Sequence, residues 1–459
     1  MTADRGEAIG AARSGRMEPF WDPGFDLRRV LALVLAGGVG SRLNVLVKRR
    51  AKPAVPFGGI YRIIDFALSN VMNSGIERVG ILTQYMPYSL TRHLGRGESW
   101  GLSGRAREVR ILPPHTGTRA SDWYRGTADA VYRNLDYITR HHPEVTVILS
   151  GDHIYRMDYA SLIEHHLRVG AEATLAVMPV PWEEATGFGT VHTDRDGWIT
   201  GFEEKPEKPK SNLASLGIYV FETDVLLRVL EEVCGLQGET DFAKHVFPFM
   251  LDREKLSAYR FTGYWQDVGT LKAYFDTTME LLDPSSPLDL PAWNVRTNLV
   301  EEHLGDRAPA FVARGARLDS AILARGCRIH GTVARSALSP GVVVEEGAVV
   351  RDSILLHDTR VRAGAQVVGV VADKQVTIGP EARVADPELG DAVNESFPTH
   401  LDRGITVIGK GAVVPARCRI GRNCCIFPGA HLARLDLDRL PAGATVEWEG
   451  AAEEAGGPA

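Results

Sequence analysis

Short, mostly apolar runs mark the first half of the chain, at residues 31–36, 79–83 and 145–149. A run of this length that ends at a turn-forming residue is typical of a strand buried on both faces. Between the first two runs, residues 61–70 have the apolar spacing of a helix. Strand, helix and strand in this order predict a right-handed crossover between parallel neighbours. Because the alternation continues to about residue 285, the pattern predicts one large α/β domain with a mostly parallel sheet.

Beyond residue 308 the apolar pattern has a different period, with aliphatic residues at every sixth position. A six-residue aliphatic repeat predicts a β-helix, in which each aliphatic side chain points inward and stacks on the next coil. Residues 386–403 interrupt the repeat and are predicted to form a loop that leaves the coils. The residues that define the repeat are Val343, Val349, Leu355, Val361, Val367, Ile378, Val384, Ile408, Val414, Ile420, Ile426 and Leu432.

Changes of composition divide the chain into segments. The first segment carries charges and glycines without an apolar core, and Met17 within it is an alternative start. Pro284, Pro287 and Pro291 cluster between the two patterned regions, which is typical of an interdomain linker. The predicted segments are a disordered extension at residues 1–27, the α/β domain at 28–285, a linker at 286–308, the β-helix at 309–445 and a flexible tail at 446–459.

Charge and cysteine content exclude several classes of partner. A net charge of -6 over 459 residues gives no bulk attraction to nucleic acid or to an anionic membrane. No apolar run in the sequence approaches the roughly 20 residues that span a bilayer. The 5 cysteines do not suffice for a disulfide framework in a chain of this length. The composition therefore predicts a cytoplasmic protein with neither nucleic acid nor membrane as partner.

Candidate chemistry begins where the first strand ends, at Gly37, Gly38 and Gly40. Glycines at this density allow a sharp turn that brings backbone N–H groups close to a ligand. Arg42 and several cations at residues 48–52 follow, so the layout suits phosphate binding. Neither a Walker A loop nor the Gly-x-Gly-x-x-Gly dinucleotide fingerprint is present at this place. A plain glycine turn with exposed basic residues is the alternative interpretation.

Taken together, these features resemble the ADP-glucose pyrophosphorylase family, the glucose-1-phosphate adenylyltransferases of bacterial glycogen synthesis. The likeness runs from residue 31 to residue 282 and continues more loosely through the β-helix. It implies a Rossmann-like nucleotidyltransferase domain followed by a left-handed β-helix of hexapeptide repeats. It also implies that ATP and α-D-glucose 1-phosphate are joined into ADP-glucose and pyrophosphate, for glycogen or α-glucan synthesis. The motifs that carry the likeness lie at residues 36–43, 50–55, 61–66, 123–130, 151–155, 204–206, 213–221 and 265–270.

The resemblance also implies roles for single residues at the nucleotide. The glycine backbone and Arg42 would cradle the triphosphate, and Lys52 would neutralise the phosphates as pyrophosphate departs. Asp152 and Asp267 would hold Mg²⁺, the implied cofactor, through hard oxygen ligands. Gln84 would read adenine, and Trp123 would close one wall of the site. The implied catalytic residues are thus Arg42, Lys52 and Asp152, and the implied ATP-binding residues are Gly37, Gly38, Gly40, Arg42, Gln84 and Trp123.

For glucose 1-phosphate the implied binding residues are Tyr124, Gly189, Glu204, Lys205 and Ser215. Lys205 would contact the phosphate, Glu204 and Ser215 would hold sugar hydroxyls, and Gly189 would allow close approach of the backbone. Recognition of hydroxyls discriminates strongly, because a wrong epimer leaves buried polar groups without partners.

Regulation and assembly are implied by the resemblance as well. Arg49 stands where some family members have a lysine that binds a sugar bisphosphate activator, so Arg49, Arg50 and the β-helix loops form a candidate effector site. The family is tetrameric, which implies a homotetramer with contacts through the β-helix. The chain departs from the common family pattern at Val39, in the glycine loop of residues 37–40, and at Gln266, where arginine is frequent.

Three alternatives stay open on the sequence. A non-catalytic regulatory subunit would keep this fold, although such subunits usually lose the aspartates or the lysine that are present here. A related enzyme would use dTTP, UTP or GTP in place of ATP. An acyltransferase would place catalysis in the β-helix, on a histidine such as His330, His357 or His431.

Overall fold

The computed structural model describes residues 25–38, 40–114, 123–235 and 239–448 of the chain. The predicted N-terminal extension and C-terminal tail lie largely outside these ranges, and so does Val39. An α/β domain is followed by a parallel β-helix, which confirms the predicted fold class. Within the described part of the chain, no helix is both long enough and apolar enough to cross a bilayer.

The first domain alternates strands and helices. Its strands are β1 (Val30–Leu35), β2 (Pro56–Phe57), β3 (Tyr61–Arg62), β4 (Arg78–Leu82), β5 (Glu108–Leu112), β6 (Val145–Ser150), β7 (His153–Tyr155), β8 (Ala173–Pro179), β9 (Gly189–Thr193), β10 (Ile199–Glu204), β11 (Leu213–Glu222), β12 (Leu256–Arg260) and β13 (Trp265–Asp267). Its helices are α1 (Ile64–Asn73), α2 (Pro87–Leu94), α3 (Thr127–Tyr132), α4 (Leu135–His141), α5 (Tyr159–Val169), α6 (Thr223–Cys234), α7 (Phe247–Met250) and α8 (Leu271–Glu280). Short 3₁₀ segments at Ser41–Val47 and Lys52–Ala54 follow β1.

The main sheet has the strand order β10-β9-β11-β6-β1-β4-β5. The central strand β1 pairs in parallel with β4 and β6, and β5 continues in parallel beyond β4. β11 enters antiparallel between β6 and β8, while β8 pairs in parallel with β12. Because β1, β4 and β6 run the same way, their carboxyl ends share one edge, where open α/β sheets bind ligands.

The apolar run of β1 is buried on both faces, as predicted. Val30, Ala32 and Val34 pack into the cluster that includes α1 and α5, whereas Leu31 and Leu33 pack into the cluster that includes α3 and α6. Alternate side chains of a strand point to opposite faces, so a strand covered by helices on both sides needs apolar residues at every position. The continuous apolar sequence therefore marks the centre of the sheet.

The second domain is a stack of parallel strands. They are β14 (Phe311–Val312), β15 (Arg317–Leu323), β16 (Arg328–Ile329), β17 (Thr332–Leu338), β18 (Val343–Val344), β19 (Val349–Arg351), β20 (Ile354–Leu355), β21 (Arg360–Val361), β22 (Gln366–Val368), β23 (Val370–Ala372), β24 (Thr377–Ile378), β25 (Arg383–Val384), β26 (Thr406–Ile408), β27 (Val413–Val414), β28 (Arg419–Ile420), β29 (Cys425–Ile426), β30 (Arg439–Leu440) and β31 (Thr445–Val446). Each pairs in parallel with strands of the neighbouring coils, as in β16 with β18 and β18 with β21.

Two of the predicted inward residues are wrong by one position. Val343 and Val349 are only half-buried and lie on the outer side of their strands. Their neighbours Val344 and Val350 are 0% exposed and fill the core instead. Leu355 points inward as predicted, so the step from Val350 is five residues rather than six. The remaining residues of the predicted repeat are at most 2% exposed.

The predicted interruption at residues 386–403 is present between β25 and β26. It contains the 3₁₀ turn Pro387–Leu389 and otherwise lacks regular structure. Because β23 pairs with β26 across it, the coil resumes in register. Leu401 and Phe397 of this loop pack into the contact between the two domains.

An apolar column on the outside of the β-helix carries that contact. Ile354, Val371, Val407 and Cys425 are aligned on successive strands, each one position before an inward residue. All four are at most 2% exposed, because they pack in one cluster with apolar side chains of residues 43–47. Burial of this outer column fixes the β-helix against the segment that follows the glycine loop.

Candidate active site

A cavity of about 280 Å³ opens at the carboxyl edge of the sheet. β1 leads into the glycine loop, β4 leads to Gln84 and β6 leads to Asp152, so parallel strands bring all three to one place. The residues predicted for the nucleotide or the sugar that line this cavity are Gly37, Gly38, Lys52, Gln84, Tyr124 and Asp152.

Lys52 joins the two aspartates predicted as metal ligands. Its Nζ donates to Asp152 Oδ2 at 2.8 Å and to Asp267 Oδ1 at 3.1 Å. Asp267 reaches the site because β13 pairs antiparallel with β7, which sets Asp267 opposite His153. Residues that are distant in the chain therefore meet at one nitrogen atom, and both carboxylates face the same point.

Burial and charge act in opposite directions on these groups. Burial favours neutral Lys52, but the carboxylates of Asp152 and Asp267 outweigh it and raise the pKa of the ammonium. Burial likewise favours protonated Asp152, yet the charges of Lys52 and His153 and hydrogen bonds from Lys52 and Ser150 hold its pKa well below the usual range. Asp152 is therefore a carboxylate, and Lys52 an ammonium, at neutral pH.

The acidic pair at Lys52 has the donor chemistry that Mg²⁺ requires. This ion prefers oxygen ligands and is commonly held by one or two carboxylates together with water and substrate phosphates. Asp152 and Asp267 supply two carboxylates that already surround a positive charge. Among the described residues there is no group of three or more acidic, histidine or cysteine side chains placed to hold a metal ion.

The glycine loop contacts these groups directly. Gly40 has a φ of 65°, and a Cβ added to it would lie 2.8 Å from Lys52 Cβ. A Cβ added to Gly269 would lie 2.8 Å from Asp267 Oδ1 and 3.0 Å from the Arg42 guanidinium. Arg42 therefore lies on the Asp267 side of the site, and glycine permits the close approach at both positions.

Gln84 and Tyr124 are bound to each other beside the cavity. Tyr124 N donates to Gln84 Oε1 at 2.6 Å, and Gln84 Nε2 donates to Tyr124 O at 3.3 Å. The Tyr124 hydroxyl donates to Leu112 O at 3.1 Å and accepts from Asn134 Nδ2 at 3.0 Å. Tyr124 thus lies with the residues predicted for the nucleotide rather than with the other sugar residues. Trp123 is 56% exposed and lies outside the cavity lining.

The other residues predicted for glucose 1-phosphate come together on β9, β10 and β11. Gly189 stands opposite Glu204, and a Cβ on Gly189 would lie 2.9 Å from Glu204 Oε2. Lys205 Nζ lies 3.5 Å from Glu204 Oε1. Ala214 pairs with Thr190, which sets Ser215 next to Gly189 across the antiparallel strands.

Aromatic rings connect this group to the aspartates. The Phe188 ring contacts Trp265 at a centroid distance of 5.5 Å, and Trp265 contacts His153 at 5.1 Å. Trp265 Nε1 donates to His153 Nδ1 at 3.3 Å, while His153 Nε2 lies 3.5 Å from Asp152 Oδ1. Because Phe188 directly precedes Gly189, the predicted sugar residues border the aspartates. His153 and Trp265 lie inside the resemblance motifs, but the sequence assigns them no role.

Asp241 also lines the cavity, although the sequence motifs do not predict a role for it. Thr127 Oγ1 donates to Asp241 Oδ1, and Phe242 N donates to Thr127 Oγ1 at 3.1 Å. Glycine at position 126 lets the chain before Thr127 approach the segment before Asp241, because a Cβ on Gly126 would lie 2.3 Å from Thr240 O. The only local signal is an aspartate before a short helical segment, which reads as a helix cap.

Arg50 is buried, whereas a residue that binds an effector would face solvent. It forms an ion pair with Asp373 of the β-helix at 2.9 and 3.0 Å, and both side chains are at most 3% exposed. It also donates to Leu46 O at 3.2 Å. Breaking a buried pair of this kind typically costs about 3–5 kcal/mol, so Arg50 has a structural role between the domains. Arg49 is exposed.

Comparison with known proteins agrees with this architecture. The nucleotidyl transferase family model matches residues 31–284, and the model of the GlmU-like C-terminal hexapeptide matches residues 310–408. Among similar curated proteins is a glucose-1-phosphate adenylyltransferase from Thermomicrobium roseum, 47% identical over 91% of this chain and 97% of that protein. Proteins of the same name from Thermotoga maritima and Acetivibrio thermocellus are 45% and 42% identical, each over 87% of this chain and over 94% and 93% of their own lengths.

Proposed function

The chain belongs to the glucose-1-phosphate adenylyltransferase family, and we propose that it joins ATP and α-D-glucose 1-phosphate into ADP-glucose and pyrophosphate. The observation that supports this most strongly is the Lys52 ammonium between Asp152 and Asp267 beside the glycine loop. Such a site brings together the positive charge that a triphosphate needs and the carboxylates that a divalent cation needs.

The reaction depends on charge and position rather than on a covalent intermediate. A phosphate oxygen of the sugar attacks the α-phosphorus of ATP in line, and the bond from that phosphorus to the oxygen bridging to the β-phosphate breaks. The pyrophosphate leaves with the bonding electron pair. Arg42 and Lys52 neutralise the charge that builds on this leaving group, and the backbone of Gly37 and Gly38 holds phosphate oxygens.

Asp152 and Asp267 would hold Mg²⁺, which when bound would supply Lewis-acid stabilisation of negative charge on phosphate oxygens. Ser150 and Lys52 keep the Asp152 carboxylate ionised and fixed in orientation. Glu204 accepts hydrogen bonds from sugar hydroxyls, Ser215 donates to them or accepts from them, and Lys205 contacts the sugar phosphate.

Pyrophosphate release by the purified chain tests this function. With glucose 1-phosphate and Mg²⁺ held constant, we expect ATP to support a faster reaction than dTTP, UTP or GTP. Faster turnover with one of the other three would assign a different sugar-nucleotide enzyme. If none of the four released pyrophosphate, the regulatory-subunit alternative would replace the proposal.

We propose that the reaction takes place in the cytoplasm and supplies glycogen or α-glucan synthesis. ADP-glucose is an activated glucosyl donor, so the reaction that consumes it is glucosyl transfer to a growing glucan. The described cysteines are all free thiols, which suits a reducing compartment. Fractionation of the native cell with a cytoplasmic marker enzyme tests the location, and recovery with the membranes would contradict it.

The effector site of this proposal is a basic cavity of about 320 Å³ between the domains. Arg92 of α2 lines it together with Lys374 and Lys410 from β-helix loops, and Asp358 and Gln375 complete the lining. Asp358 is already paired with Arg307 at 2.6 Å. Several cations around one cavity favour a small ligand that carries more than one phosphate.

We expect Lys410→Ala to raise the half-effective concentration of a phosphorylated effector by about 10- to 100-fold, since one charged contact is worth about 1.5–3 kcal/mol and each 1.4 kcal/mol is about tenfold. The rate without effector should not change, because Lys410 lies outside the catalytic cavity. The measurement is pyrophosphate release against inorganic phosphate and a panel of sugar bisphosphates. Lys272→Ala, at an exposed lysine of α8, is the matched control. An unchanged response of Lys410→Ala to every compound that affects the parent would contradict the site.

For assembly we propose a homotetramer in which the first coil of the β-helix contacts another copy. β14 and β15 each pair with a strand on one side only, and Phe311, Val312 and Leu318 are 50%, 41% and 45% exposed. Open strand edges with apolar side chains are surfaces that another chain covers. Light scattering should give four times the chain mass, and Leu318→Glu should lower it. A parent protein with the mass of one chain would contradict the proposal.

A further inference from the structure

The segment between the glycine loop and Lys52 is held by the β-helix at several points. Its apolar side chains at residues 43–47 pack on the outer column of the coils. Lys48 Nζ lies 4.7 Å from the centre of the Phe427 ring, and Arg50 is paired with Asp373. Both phosphate-binding elements of the proposed site are therefore joined by residues that rest on the second domain.

Within this segment Asn44 has an unfavourable backbone conformation. Its φ is 53° and its ψ is -126°, and these angles separate two short 3₁₀ turns within Ser41–Val47. Side chains rarely adopt positive φ with such a ψ, and residues held in this way cluster at functional sites. Asn44 is only 3% exposed, so its strained backbone is buried rather than hydrated.

The β-helix holds the Asn44 side chain. Cys425 Sγ donates to Asn44 Oδ1 at 3.1 Å, in a contact that spans 381 residues of sequence. The Asn44 Nδ2 atom is buried without a hydrogen-bond partner among the described residues. An orphaned buried amide is a cost to folding, so stability alone does not account for asparagine at this position.

Asn44 is placed where it controls the direction of the chain toward Arg42. The turn before it carries Arg42, whose guanidinium lies beside Gly269 and Asp267. The turn after it is fixed, because Arg50 donates to Leu46 O and is itself anchored on the β-helix. A change of backbone at Asn44 therefore moves Arg42 relative to the aspartates and leaves the anchored turn in place.

We propose that Asn44 is a positioning residue for the nucleotide, and that Cys425 of the β-helix holds it in the conformation that aims Arg42 at the phosphates. This inference rests on the proposed function, since it assumes that Arg42 binds a nucleoside triphosphate. It makes the outer face of the β-helix a part of the nucleotide site.

The test measures ATP binding by calorimetry in Mg²⁺ buffer without sugar, together with KM for both substrates. Asn44→Ala is expected to weaken ATP binding and raise KM for ATP by about tenfold, because alanine resists positive φ. KM for glucose 1-phosphate should stay the same. Asn44→Gly should stay within about threefold of the parent, since glycine adopts this conformation freely.

Asn423→Ala is the matched control, because Asn423 is also buried with a positive φ of 56° but belongs to the β-helix core. It should lower the melting temperature without changing ATP affinity. Parent-like ATP binding by Asn44→Ala, or equal losses in the alanine and glycine variants, would overturn the inference.

A second variant keeps the inference testable if Asn44→Ala does not fold. Cys425→Ala removes only the thiol partner of Asn44, and we expect it to weaken ATP binding by about threefold. Unchanged binding by this variant would then overturn the inference. Absence of pyrophosphate release from the parent enzyme would instead refute the proposed function, because ATP binding is read separately from turnover.

Discussion

Replacing Asp152 with asparagine is expected to lower kcat by about 10²–10³-fold, the loss seen when one preorganised electrostatic group is removed. Asparagine keeps the shape of the side chain, but it removes the negative charge that Lys52 and the proposed Mg²⁺ share. The buried Lys52 ammonium keeps Asp267 as a partner, so the fold should survive. Pyrophosphate release at saturating substrates measures the loss, and circular dichroism confirms the fold.

Asp158→Asn is the control for this substitution. Asp158 is the N-cap of α5 and accepts from Ala160 N at 2.9 Å, a capping contact that asparagine makes equally well. The control should therefore retain the parental rate. A rate close to that of the parent in Asp152→Asn would show that Asp152 holds no essential metal, and the assignment of Asp152 and Asp267 would fail.

The fold could be predicted from the sequence where one periodic signal dominates. The run of β1 is apolar at every position because helices cover both of its faces. The hexapeptide repeat can be recognised in the sequence because one inward position per strand must fill a narrow core with an aliphatic side chain. The error at Val343 and Val349 has a local cause. Each has a valine directly beside it in the sequence, so hydrophobicity alone does not choose the register.

The site was harder to predict because its geometry depends on contacts between distant residues. The basic run containing Arg50 looks the same in sequence whether it faces solvent or not, and its partner Asp373 lies 323 residues away. Asp241 likewise meets Thr127 only after the chain has folded. The resemblance motifs include Asp152, Lys52 and Asp267, but their meeting at one nitrogen atom depends on the pairing of β7 with β13.

Replacing Lys52 with methionine is expected to lower kcat by about 10²–10³-fold, as for Asp152→Asn, but with the opposite effect on metal binding. Methionine fills a similar volume and removes the only charge of Lys52, which leaves Asp152 and Asp267 facing each other without the ammonium between them. Because like charges then repel, the pair gains from any cation that replaces the ammonium. Titration with Mn²⁺, read by electron paramagnetic resonance without substrates, should show equal or tighter binding in Lys52→Met.

The same titration of Asp152→Asn should show weaker Mn²⁺ binding, because one ligand is lost. Loss of turnover with opposite changes in metal affinity separates the two roles, since a general loss of structure would weaken metal binding in both variants. Lys272→Met, at an exposed lysine of α8, should change neither quantity. If Lys52→Met retained the parental rate, charge neutralisation by Lys52 would not be part of the reaction. If Lys52→Met lost Mn²⁺ binding, Lys52 would be needed to position the two carboxylates, and it would not compete with the metal for them.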